Sequence, residues 1–185
     1  MNSAALPKVA AALRPLVADR LRGLNREQAT QLRQAIRYVE AGDRLMAGQW
    51  LWLAKASAPD HPEVMRWCGL HHFALGEWKP AAECLTHADR HRPDDFVLLS
   101  PLAAALYDAG ECASARDALV QAQRHARGAG QWWALCLEFD RQAMAEEARA
   151  AADQVLRLDS SITAARLQRA RSATALGDRA TTVSA

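Results

Sequence analysis

Cys84, His87 and His91 stand at i, i+3 and i+7, so a helix would present all three on one face. A thiolate and two imidazoles are good zinc ligands, and Asp94 or Asp95 could complete a tetrahedral set. The stretch lacks the base of a helical metallohydrolase, because an HExxH motif would need a glutamate where Ala88 stands. A packed cysteine beside histidines that face solvent or a neighbour explains the spacing without a ligand. No metal or other cofactor is expected.

The remaining reactive side chains are scattered. His71 and His72 are adjacent and point in different directions on a helix, and His72 is expected to be a hydrogen-bonded structural residue. Cys68, Cys84, Cys112 and Cys136 follow at intervals of 16, 28 and 24, with no CxxC pair. Small buried side chains without disulfides are expected. There is no G-x-S-x-G, no P-loop and no G-x-G-x-x-G, and Gly128-Ala129-Gly130 reads as a loop. No catalytic residues are identified, and the chain is not expected to be an enzyme.

Charge and hydropathy exclude other classes. The net charge is +2, too weak to argue for a polyanionic partner. Arg157, Arg166, Arg169, Arg171 and Arg179 cluster late, but no aromatic residues stand between them to stack bases. A solvated helix face is expected there, and no nucleic acid. No apolar run approaches the roughly 20 residues that cross a bilayer, so no membrane insertion is expected. Charges punctuate Met1 to Leu24, which leaves no signal-peptide centre, and a cytoplasmic location follows as the expectation. The excess of arginine over lysine and the abundance of alanine fit a GC-rich bacterial genome.

The elements that carry these residues are helical. Half of the 185 residues are apolar, Gly and Pro are few, and no stretch alternates as a strand would. The chain is all-α. It also repeats. Ala41-Gly42-Asp43, Leu75-Gly76-Glu77 and Ala109-Gly110-Glu111 are spaced 34 residues apart. Ala47, Ala81 and Ala115 keep that interval, as do Leu51, Leu85 and Leu119, and Ala54, Ala88 and Ala122. Each unit then reads as two antiparallel helices, with a positive-φ glycine between them and small residues where they touch.

The second unit reads Met65-x2-Cys68-Gly69-x2-His72, Ala81-x3-Leu85, Pro93. The first has Tyr38, Ala47, Leu51 and Pro59 in the same register, and the third has Leu99, Leu102, Ala115 and Leu119. A fourth has Trp132, Leu135, Phe139 and Ala148, with Ala143 at the turn. These motifs resemble the tetratricopeptide repeat family. The resemblance implies a right-handed superhelical α-solenoid of about four repeats plus terminal helices. Residues 1–24 are expected to form an N-terminal capping helix. Units follow over about 28–61, 62–95, 96–128 and 129–162, with a partial fifth over 163–185 that turns at Gly177-Asp178. The chain stops eight residues after Gly177, either as its natural end or inside a longer polypeptide.

Local signals refine the helix starts. Asn25 with Gln28 and Asp60 with Glu63 look like capping boxes, and Asp94 suits the start of the third unit. Pro101 falls inside that unit's first helix, which must kink there or begin late with Ser100 as its cap.

In the resembling family, the first helices of successive units line a concave groove. Carried over, the groove comprises Leu32, Ile36 and Val39, then Arg66, Trp67, Leu70 and Phe73, then Ser100, Ala104 and Tyr107, then Trp133 and Leu137. Trp78 and Trp132 are expected to pack. At least one of Trp50 and Trp52 is expected to fill the interface with the second unit, while Trp67 and Trp133 match no buried position. The carboxylate clamp of some family members is absent, because Leu32, Ile36, Trp67, Val97 and Pro101 occupy its places. An apolar groove suits a hydrophobic peptide or an amphipathic helix. The expected function is a non-catalytic protein-interaction scaffold. A homodimer through the groove or terminal helices would cover the same surface. Two alternatives stand beside it: a chaperone similar to the type III secretion translocator chaperones, and the N-terminal recruitment module of a longer enzyme such as a sulfotransferase.

Overall fold

A turn at Gly23, with the Leu24 amide donating to the Leu21 carbonyl at 3.2 Å, leads into the first described helix. The computed structural model describes residues 21–183 apart from 92 and 94. The capping helix expected over 1–24 lies, as far as residue 20, outside the described residues. Nine helices and no strands follow among them: α1 (Arg26–Ala41), α2 (Arg44–Ser57), α3 (Pro62–Leu75), α4 (Trp78–His91), α5 (Phe96–Asp108), α6 (Cys112–His125), α7 (Ala129–Arg141), α8 (Ala145–Leu158) and α9 (Thr163–Val183). α1, α3, α5 and α7 each pack on the even-numbered helix that follows, as the repeat demands, and α9 packs on α8.

The turns inside the pairs share one geometry. Gly42, Gly76 and Gly110 have φ of 78°, 77° and 91°. At the first, the Gly42 amide reaches the Val39 carbonyl at 3.1 Å and the Asp43 amide reaches Tyr38 at 3.0 Å. This double bond to the last carbonyls is the Schellman motif, and it recurs after α3 and α5. It forms again after α7, where Ala143 takes the glycine's place at φ 55° and its amide bonds to Asp140 at 3.0 Å. A side chain in left-handed backbone is strained by about 1–2 kcal/mol. The Ala143→Gly variant is therefore expected to gain about 1 kcal/mol after the entropy cost of glycine. Its melting temperature should rise by about 2–4 °C. An unchanged or lower melting temperature would contradict the strain.

The Asn25–Gln28 capping box is present in both directions at 2.9 Å. The Asp60–Glu63 box is not. Pro62 takes the first helical position of α3, where a missing N–H costs nothing, and His61 becomes the cap residue without a side-chain bond. Glu63 turns inward. α5 is capped by Asp95, whose carboxylate accepts from the Val97 amide at 3.1 Å. Asp94 lies outside the described residues. Because the cap is at Asp95, α5 runs through Pro101 and does not begin late at Ser100. α9 runs straight through Gly177, which makes no turn.

The core lies where paired helices meet. Ala81, Ala88, Ala115 and Ala122 are fully or nearly fully buried and let the axes approach. Gly69 is the closest contact, since a Cβ there would sit 2.6 Å from Leu85 Cγ. The first helices also touch one another in series, α1 to α3, α3 to α5, α5 to α7 and α7 to α9. Successive second helices make no comparable contact among the described residues. The array therefore curves with its first helices on the inner side.

Candidate functional site

The inner side is largely closed. Leu32, Ile36 and Val39 of α1, Arg66, Trp67 and Leu70 of α3, and Ala104 of α5 are buried. These residues, placed in an open groove by the sequence, are core residues in this conformation. The reason is visible at α3, which packs against α1, α2, α4 and α5 and keeps no free long side. Phe73, Ser100, Tyr107 and Trp133 are half-buried, and Leu137 is 45% exposed. The open part of the inner face thus shifts towards α5 and α7.

Two polar nodes brace this face. In the closed half, Arg66 Nη1 donates to Asp95 Oδ2 at 2.9 Å and lies 3.9 Å from Glu63 Oε2. Trp67 Nε1 donates to Glu63 Oε1 at 3.0 Å. Arg66 and Glu63 are both buried, so charge pairing stands in for lost hydration. In the open half, the Arg141 guanidinium lies 4.7 Å above the Tyr107 ring. It donates to Asp108 at 2.6 Å and to Glu138 at 2.8 Å, which ties α7 to α5. Arg141 was missed in the sequence. Its signal was its position, 34 residues after Tyr107 and twice that after Phe73.

The most exposed apolar surface lies elsewhere. α2 and the end of α3 border an open groove of about 770 Å³. Leu45 and Trp52 line it at 74% and 70% exposure, with Leu53 and Leu75 beside them. Gly48 and His71 form its floor, where a Cβ on Gly48 would come within 3.0 Å of His71 Nε2. Burial, reinforced by His72, pulls His71 below the usual imidazole value, so the floor is uncharged near neutral pH. Leu45, Leu53 and Leu75 carried no signal in the sequence beyond being apolar at positions where the helix faces outward. Of the two tryptophans of α2, Trp50 packs on the core, while Trp52 does not fill an interface.

The chemistry-bearing residues remain apart. Cys84 is buried, the His87 and His91 rings lie 5.2 Å apart, and His87 Nε2 is 3.9 Å from Asp60. No three metal-ligating side chains converge among the described residues. His72 is hydrogen-bonded to Glu77 at 2.5 Å. All four cysteines are free, and Cys112 is exposed where a buried residue was expected. Burial pushes the Cys68 thiol up to about 12 and the Cys136 thiol to about 11, which leaves both unreactive. No described helix is long and apolar enough to cross a membrane.

No protein-family model matches the chain, and no curated protein is significantly similar to it in sequence. Solved structures are similar in fold. MamA MSR-1 superposes with a TM-score of 0.61 at 21% identity, covering 84% of this chain and 92% of that one. MamA AMB-1 gives 0.60 at 21% identity over 83% and 87%. A thermophilic TPR protein of Thermus thermophilus gives 0.61 at 17% identity over 95% and 99%. The fold is the all-α, tetratricopeptide-type solenoid.

Proposed function

We propose that this chain is a non-catalytic protein-interaction scaffold that holds an amphipathic helix or a hydrophobic peptide. The observation that carries this is the groove between α2 and α3, where Leu45, Trp52, Leu53 and Leu75 expose apolar surface together. Isolated exposed leucines are ordinary, but a clustered patch rimmed by polar residues marks a docking surface. Trp52 is the natural anchor, since a tryptophan beside a preformed hollow loses little conformational freedom on binding. A helical partner would set apolar residues at i, i+3 and i+4 into the groove. The open strip of the inner face at Tyr107, Trp133 and Leu137 is the second surface for the same class of ligand. The buried, free thiols suit a reducing compartment, and a cytoplasmic location is part of the proposal.

The test compares one partner across three proteins by titration: wild type, Leu45→Glu/Trp52→Glu, and Leu137→Glu. All three substituted residues are exposed, so helicity by circular dichroism should match wild type. Loss of affinity of tenfold or more, about 1.4 kcal/mol, in the α2 double variant alone supports the groove. Loss in Leu137→Glu alone moves the site to the inner face. Unchanged affinity in both defeats the proposal.

A further inference from the structure

α1 carries a strip of exposed arginines that lies apart from the apolar groove. Arg26, Arg33 and Arg37 stand at i, i+7 and i+11. At about 100° per residue they fall within a strip roughly 40° wide. All three are exposed, and none makes a side-chain hydrogen bond or ion pair among the described residues. The apolar face of α1, with Ala29, Leu32, Ala35, Ile36 and Val39, is buried, so the strip sits on a firmly seated helix. Arginines elsewhere that serve packing are paired: Arg66 with Asp95, and Arg141 with Asp108 and Glu138. Beside the strip, α1 and α2 enclose an open hollow of about 470 Å³. Arg26 and the Glu27 carboxylate are at its rim, with Thr30, Gln31 and the half-buried Trp50 completing the lining.

We infer that this strip docks an acidic amphipathic helix of a partner protein, with an apolar side chain entering the hollow against Trp50. Charge complementarity and register together select this occupant. The guanidinium positions are separated along the axis by rises of about 10.5 and 6 Å. An antiparallel partner helix with carboxylates at j, j+4 and j+11 repeats those rises. Planar guanidinium groups suit carboxylates, which they engage through two parallel N–H donors. A nucleic-acid strand fits less well, because Trp50, the aromatic residue of the hollow, is half-buried and offers no open stacking platform. A membrane surface fits less well too, because the strip carries no exposed large apolar residue to insert.

The experiment measures fluorescence anisotropy of a labelled synthetic helix with Glu at j, j+4 and j+11 and Leu placed for the hollow. Its control has the same composition with the glutamates spread around the helix. The expected result is binding of the registered peptide at least tenfold tighter than the control, weakening about tenfold between 50 and 300 mM NaCl. Arg33→Glu/Arg37→Glu should remove it, while Leu45→Glu/Trp52→Glu leaves it unchanged. Both pairs are exposed, and circular dichroism checks the fold. Equal binding of the two peptides, or no effect of the arginine variant, overturns the inference. So does tighter binding of dT20 or of phosphatidylcholine–phosphatidylglycerol vesicles than of the registered peptide.

Discussion

Replacing Asp95 with alanine is expected to lower stability by about 3–5 kcal/mol and the melting temperature by about 6–20 °C. Asp95 holds two structures together. One carboxylate oxygen caps α5 through the Val97 amide, and the other accepts from Arg66 of α3 at 2.9 Å. Losing a cap alone costs about 1 kcal/mol. The larger part comes from Arg66, which is 2% exposed and would be left with Glu63 at 3.9 Å as its near carboxylate. Arg66 already has Nε and Nη2 without partners, so it has no spare stabilisation. Asp95→Asn separates the contributions, because it keeps the capping oxygen and removes the charge. Its expected cost is about 2–4 kcal/mol, the alanine figure less the cap. Thermal unfolding followed by circular dichroism reads both. A loss below about 1 kcal/mol in the alanine variant would show that the buried ion pair contributes nothing net.

Gly69→Ala is the second large effect. The added Cβ would lie 2.6 Å from Leu85 Cγ, 2.8 Å from Cδ2 and 3.1 Å from the Leu85 backbone nitrogen. A side-chain tip could rotate away, but Leu85 is fully buried and a backbone nitrogen moves only with its helix. α3 and α4 must separate. The expected cost is about 3 kcal/mol, the upper part of the overpacking range, despite alanine's better helix propensity. Leu85→Ala alone should cost about 2–5 kcal/mol through the cavity it leaves. The double variant should cost at least about 1 kcal/mol less than the sum, because each change supplies the space or the bulk that the other lacks. Strict additivity would mean that the close approach is not what requires glycine.

Both effects act on α3, one through Arg66 and one at Gly69, and they differ in how visible they were. Gly69 was legible because it falls on a repeat position where two helices touch. The tie between Asp95 and Arg66 was not, because it joins residues 29 apart in sequence through a side chain read as part of an open groove. Glu63 was read as a capping residue on its spacing from Asp60. Pro62 displaced the cap, and the carboxylate serves Trp67 and Arg66 instead.

The linear sequence determined the all-α class, the 34-residue period, the positive-φ turns and the contacts of small residues between paired helices. Those features depend on a few residues near one another in the chain, whose backbone preferences and helical spacing are local. Tertiary structure alone decided which faces stay open. Spacing sorts a helix into an apolar and a polar side, but burial depends on how many neighbours pack around it. Curvature surrounds α3 with four helices and closes the inner side over Leu32, Trp67 and Leu70. The same curvature leaves Leu45 and Trp52, no more apolar than those three, facing outward on α2.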